Sequence, residues 1–144
     1  KNYKTKIDKS VVELLKEEEK FGIKKYETYQ NFAKKVYDIR KNVRKNIKEL
    51  KKTSEKIIGY GSPAKATTAL NFFGVTKEID YIIEDNKLKQ GKFLPGVKIP
   101  IKSKQSINGK PDCLIVLAWN FFDEIKKNNS DLADKFVSIK ELEK

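Results

Sequence analysis

The first fifty residues keep a helical rhythm. After a patternless stretch over residues 1–7, expected to fray, Val11, Leu14 and Leu15 recur on one face. Asp8 or Ser10 can cap that segment and Gly22 can stop it, so a helix is predicted to about Phe21. Tyr29, Phe32, Val36, Ile39, Val43, Ile47 and Leu50 then recur at three- and four-residue steps, which predicts a second helix over residues 28–53. Lysines cover its opposite face. A stripe of that length must lie on another surface. Packing onto the domain that follows is the simplest cover; a coiled coil with a partner is the alternative.

From Lys56 the texture changes to short apolar runs separated by turn residues. Residues 56–60 read as a buried strand, followed by a glycine turn and a helix that Gly74 ends. Residues 78–84 read as a second strand closed by Asp85 and Asn86. Residues 87–98, with Gly91, Pro95 and Gly96, form a polar excursion of the kind an ordered loop makes. Residues 98–101 are a short strand. Residues 113–117 are the most apolar run and read as a central parallel strand. A helix over 120–128 and a strand over 135–139 complete the series. This order predicts an α/β fold: a Rossmann-like open, mostly parallel sheet with flanking helices, preceded by a two-helix N-terminal extension. The division falls at 1–55 for the extension and 56–144 for the sheet domain.

Composition narrows the chemistry. The 144 residues suit about one domain plus an extension. No apolar run approaches the about 18 residues that a membrane-crossing helix needs. Neither end reads as a secretion signal. His is absent, which removes an imidazole general base and the usual zinc donor set. The one cysteine, Cys113, allows no internal disulfide and no cysteine cluster, which fits a cytoplasmic setting. With no Met, the chain is expected to be cut from a longer polypeptide or to have lost its start. The net charge is +12, and residues 1–56 hold 18 basic against 9 acidic side chains. Such an excess suits phosphate or nucleic acid. Nearly all of it is lysine, with only Arg40 and Arg44, whereas nucleic-acid readers favour arginine forks. The excess therefore reads as a solvated surface, and nucleic acid is not the expected partner.

The residues that carry chemistry sit in the glycine turn. Gly59-Tyr60-Gly61-Ser62-Pro63-Ala64 meets the G-x-G-x-x-G/A spacing between a strand and a helix. Gly59 permits a tight turn, Gly61 lets a ligand approach the backbone, and Ala64 keeps the helix close to the sheet. Pro63 suits the first helical turn. Free N–H groups and the positive end of the helix then face an anion. Ser62 can cap the helix or donate to a ligand oxygen, and Lys65 adds a full charge. Asp85, at the tip of the next strand, can accept from sugar or ribose hydroxyls. Read alone, the same residues also make a plain strand-to-helix turn with a capping serine. No Gly-Lys-Ser/Thr occurs, which disfavours nucleotide hydrolysis.

Trp119 and Asn120 follow the central strand directly. Ligands of open α/β sheets sit outside the carboxyl ends of the strands, so these two residues share a rim with Gly61 and Asp85. Trp119 can stack on a base or sugar, or plug the end of the sheet. Asn120 can touch ligand or cap the next helix. Cys113 reads as packing.

Five separated blocks resemble a known family: residues 59–65; Asp85-Asn86 with residues 89–96; residues 99–101; Pro111-Asp112; and residues 117–120. Together they look like the C-terminal domain of S-adenosylmethionine-dependent C-methyltransferases, whose best-known members methylate keto-sugars carried on a nucleoside diphosphate. The likeness covers about residues 10–139. It implies a three-part parent: a zinc-binding segment, a methyl-transfer domain that holds S-adenosylmethionine, and this Rossmann-like domain, which anchors the nucleotide-sugar. It implies further that Gly61, Ser62 and Lys65 lie near the diphosphate or sugar of the substrate and Asp85, Lys89 and Asn120 near the same cleft; with Gly59 and Trp119 from the turn and the strand end, these are the expected substrate-binding residues. No catalytic residue, metal or cofactor is expected in this domain; its partners are the nucleotide-sugar and the methyltransferase domain of the same polypeptide. Ala66, Lys87-Leu88 and the 132–139 stretch depart from the family pattern, leaving the sugar unnamed. Two other readings of the same residues remain: a dinucleotide-binding fragment of an oxidoreductase, and a basic RNA-interaction module.

Overall fold

A computed structural model describes residues 6–144. Of the frayed end expected over 1–7, residues 1–5 lie outside the described residues. The chain divides into two units, Lys1–Asp38 and Ile39–Lys144, and the border falls inside the second helix.

In the first unit α1 spans Lys9–Phe21. Asp8 caps it, its carboxylate accepting from the Ser10 amide at 2.9 Å, and Gly22 ends it in a left-handed conformation at φ +82°. That conformation carries no Cβ penalty only in glycine. The cap and stop are those the sequence marks. α2 spans Tyr26–Thr53 and runs on into the second unit.

The stripe on α2 is buried only in its second half. Val43, Ile47 and Leu50 are buried, whereas Tyr29 and Phe32 are exposed.

The second unit is a five-stranded, all-parallel sheet of β1 (Ile57–Tyr60), β2 (Ile82–Ile83), β3 (Ile101–Lys102), β4 (Cys113–Val116) and β5 (Lys135–Ser138), in the order β3-β2-β1-β4-β5. α3 (Ala64–Phe73) connects β1 to β2, and α4 (Phe122–Asn128) connects β4 to β5. On one face the C-terminal part of α2 and α3 cover Ile57, Ile82, Cys113, Ile115 and Val137. On the other, Phe122 and Ile125 of α4 pack with Ile58, Tyr60, Leu114 and Val116. The continuous burial of β1 and β4 follows from helices on both faces. Burial also pushes the Cys113 thiol up to about 11, as a packing residue requires.

β2 and β3 are shorter than, or offset from, the runs expected at 78–84 and 98–101. Ile79 and Tyr81 are buried, and the Asp80 amide donates to Ile57 while the Tyr81 carbonyl accepts from Gly59, yet the paired register covers only Ile82 and Ile83. The 87–98 excursion is ordered as expected. Gly91 donates to Ile101 at 2.9 Å, Ile101 to Lys92 at 2.8 Å and Leu94 to Ile99 at 2.9 Å, with Leu94 buried beneath. Among the described residues no helix is long and apolar enough to cross a membrane.

Candidate functional site

The strand order reverses between β1 and β4, because each is followed by a helix on a different face. In such sheets this point leaves a crevice at the carboxyl edge. β1 ends there in the glycine turn. Gly61 adopts φ +85°, and a Cβ on it would stand 3.0 Å from the Ala118 Cβ at the end of β4. Gly59 lies within β1 rather than in the turn. Its missing Cβ makes room for Ile82 Cγ1 and Leu117 Cδ1, which would stand 2.9 and 3.1 Å away. Its role is close packing of neighbouring side chains, not the turn expected of it.

Ser62 does not cap α3. The cap position is Pro63, with no side-chain bond. The Ser62 amide and hydroxyl both donate to one oxygen of Glu84, at 2.9 and 2.6 Å. The other Glu84 oxygen accepts from the Asn86 amide at 3.0 Å, and Lys89 Nζ stands 3.5 Å from the first. Burial pushes this carboxyl up, but the bonds from Ser62 and Asn86 and the Lys89 charge hold it below the usual carboxylate range. Lys89 also donates to the Ser62 carbonyl at 3.0 Å, and Gln90 donates to the Glu84 carbonyl at 2.7 Å. The excursion after β2 is thus tied back onto the turn.

Only some of the amides of the turn are free. Gly61 donates to Ile83 and Ser62 to Glu84. The amides of Ala64 and Lys65, at the start of α3, have no protein acceptor among the described residues. These two remain to face an anion.

Glu84 and Asp85 point to different places, as the two-residue period of an extended segment requires. Asp85 accepts from the Tyr60 hydroxyl at 2.7 Å. Burial, reinforced by that bond, raises the Tyr60 hydroxyl well above its ordinary range. Beside them lies a polar cavity of about 260 Å³ lined by Tyr60, Asp85, Lys104, Glu124, Ile125, Asn128 and Asn129. Buried Asn129 accepts from Lys104 there and donates to the Ile125 carbonyl. A separate groove of about 500 Å³ between α2 and β5 holds none of the turn residues.

On the β4 side Trp119 is partly buried against the core, and Lys65 Nζ lies 4.0 Å from its ring centroid. Cation and indole attract at that distance. Trp119–Phe121 form a short 3₁₀ turn that leads into α4. Asn120 is exposed and caps nothing; Phe121 holds the cap position of α4.

The fold therefore joins Ser62 to Lys89 by a hydrogen bond, Lys65 to Trp119 by ring contact, and Gly61 to the strand end that precedes Trp119. Asp85 is turned to Tyr60 instead. Glu84 was not singled out from the sequence; its only signal is its place beside Asp85 at a strand end.

A family model described as "C-methyltransferase C-terminal domain" matches residues 1–139. A curated protein, the C-methyltransferase NovU of Streptomyces niveus, is 34% identical over 127 residues, which make up 87% of this chain and 30% of that protein. The chain thus spans about a third of the length of the curated relative it matches.

Proposed function

Since the chain belongs to the C-methyltransferase C-terminal domain family, we propose that it holds the nucleoside-diphosphate sugar of a sugar C-methyltransferase and performs no chemistry alone. The observation that carries this reading is the juxtaposition of the Gly61 turn, Lys65 and Trp119 at the point where the strand order reverses. A helix start offers amides and partial positive charge to a diphosphate. Lys65 adds a full charge there, and the indole supplies a flat apolar face for a sugar or base. Lys89 and Asn120 border the same edge, while Asp85 and Tyr60 offer hydroxyl-binding groups behind the turn. The contribution is positional: a sugar fixed at one end presents a single carbon to the methyl donor.

S-adenosylmethionine supplies the methyl group in this proposal, and it and a structural zinc belong to other segments of the parent polypeptide. The donor set here suits that assignment. The chain has no His, and its one Cys is buried in β4, so it lacks the usual histidine and cysteine donor set. A cytoplasmic setting completes the proposal.

Calorimetric titration with a nucleoside-diphosphate hexose tests the reading. Saturable binding is expected, and Lys65→Ala should weaken it about tenfold through loss of one charge-assisted contact while leaving the melting temperature unchanged. Absence of saturable binding by the wild-type chain would remove the substrate-holding role.

A further inference from the structure

Lys65 is not the only cation at Trp119. Lys140, two residues past the end of β5, places its Nζ 5.7 Å from the same ring centroid. The sheet order explains the meeting, since β5 pairs with β4 and both strands end at this edge. The Lys140 backbone is fixed: its amide donates to the Ser138 hydroxyl, and a Ser138–Glu141 capping box starts the 3₁₀ turn Ile139–Glu143.

Two ammonium groups gathered at one ring repel each other, and the ring quadrupole offsets that only in part. Glu143 lies 3.5 Å from Lys140; the lysine side chain is half exposed and that of Glu143 about a quarter exposed, and at this long separation the pair leaves much of the lysine charge free for an anion. Lys65 has neither a carboxylate partner nor a hydrogen bond among the described residues. The Ala64 and Lys65 amides adjoin it, also without protein acceptors. By contrast Lys89 is already engaged by Glu84 and Ser62.

We propose that Lys65 and Lys140 together form the diphosphate clamp of this domain, with Trp119 as its floor. The proposal rests on the substrate-holding reading and moves the anion from the Ser62 amide, which Glu84 occupies, to the opening between β1, β4 and β5. Lys140 then acts as a binding residue that its sequence position does not announce.

Trp119 is the only tryptophan, so its fluorescence reports the site directly. The full chain is titrated with inorganic pyrophosphate and, separately, with a nucleoside-diphosphate hexose. Parallel titrations use Lys65→Ala, Lys140→Ala, Lys140→Arg and Lys89→Ala. Both ligands are expected to change the emission saturably. Lys140→Ala should weaken each about tenfold, Lys140→Arg should restore most of the affinity, and Lys89→Ala should matter less than either. If the hexose ligand binds Lys140→Ala as tightly as wild type, the clamp is wrong while the substrate-holding reading stands. If pyrophosphate binds through both lysines but the sugar ligand binds no better, the clamp stands and the nucleotide-sugar reading fails. If neither ligand binds, both are overturned.

Discussion

A chain beginning at residue 56 is expected to lose cooperative unfolding, whereas one beginning at Ile39 keeps it. The reason is the second half of α2. Val43, Ile47 and Leu50 are 0%, 1% and 7% exposed and belong to the core that covers one face of the sheet. Each buried aliphatic side chain contributes about 1.5–3 kcal/mol. Removing three subtracts about 5–9 kcal/mol from a domain whose net stability is about 5–15 kcal/mol. Three further hydrogen bonds go with them: Asn46 donates to the carbonyls of Leu142 and Lys144, and Asn42 to that of Glu143. Thermal unfolding followed by circular dichroism compares the two chains. Equal melting temperatures would mean that α2 is an accessory to the sheet rather than part of its core.

Glu84→Ala is expected to cost about 2–4 kcal/mol, the scale of losing charge-assisted bonds and leaving their donors without an acceptor. Three donors lose their acceptor at once: the Ser62 amide, the Ser62 hydroxyl and the Asn86 amide. Lys89 loses the carboxylate that stands 3.5 Å from it. Glu84→Gln keeps an acceptor oxygen and should recover about half of the loss. The pH dependence has a fixed sign. The Glu84 carboxyl titrates lower in the folded chain than in the unfolded one. Its contribution is therefore complete above the ordinary carboxylate range and is lost as pH falls through the folded value. The stability gap between wild type and Glu84→Gln in urea should shrink between neutral and acid pH. A gap that stays constant would show that the charge on Glu84 does not hold the turn.

The parts of the fold that local chemistry determines were legible in the sequence. Asp8 and Gly22 bound α1, Gly74 ends α3, and the apolar runs of β1 and β4 are central parallel strands. What was not legible depended on register and on neighbours distant in sequence. Ile79 and Tyr81 alternate with polar residues as a strand would, but alternation records which side chains are buried, not where regular residue-to-residue pairing begins. Of the adjacent acids at the end of β2, the sequence favoured Asp85, and the twofold period sends that one to Tyr60 and Glu84 to Ser62. A one-residue difference in register exchanges such roles. Lys140 carried no signal at all, because only the pairing of β5 with β4 brings it to Trp119. The upper α2 stripe shows the opposite case: Tyr29 and Phe32 keep the period yet are exposed, since periodicity specifies a face and not its cover.

The most direct measurement of the central claim is the map of amide shifts when an isotopically labelled chain is titrated with a nucleoside-diphosphate hexose. The account predicts saturable shifts gathered at Gly61, Ala64, Lys65, Lys140, Asn120 and the Trp119 indole, with residues of the groove between α2 and β5, such as Asn46 and Leu142, unmoved. Shifts centred on that groove, or none at all at millimolar ligand, would contradict it.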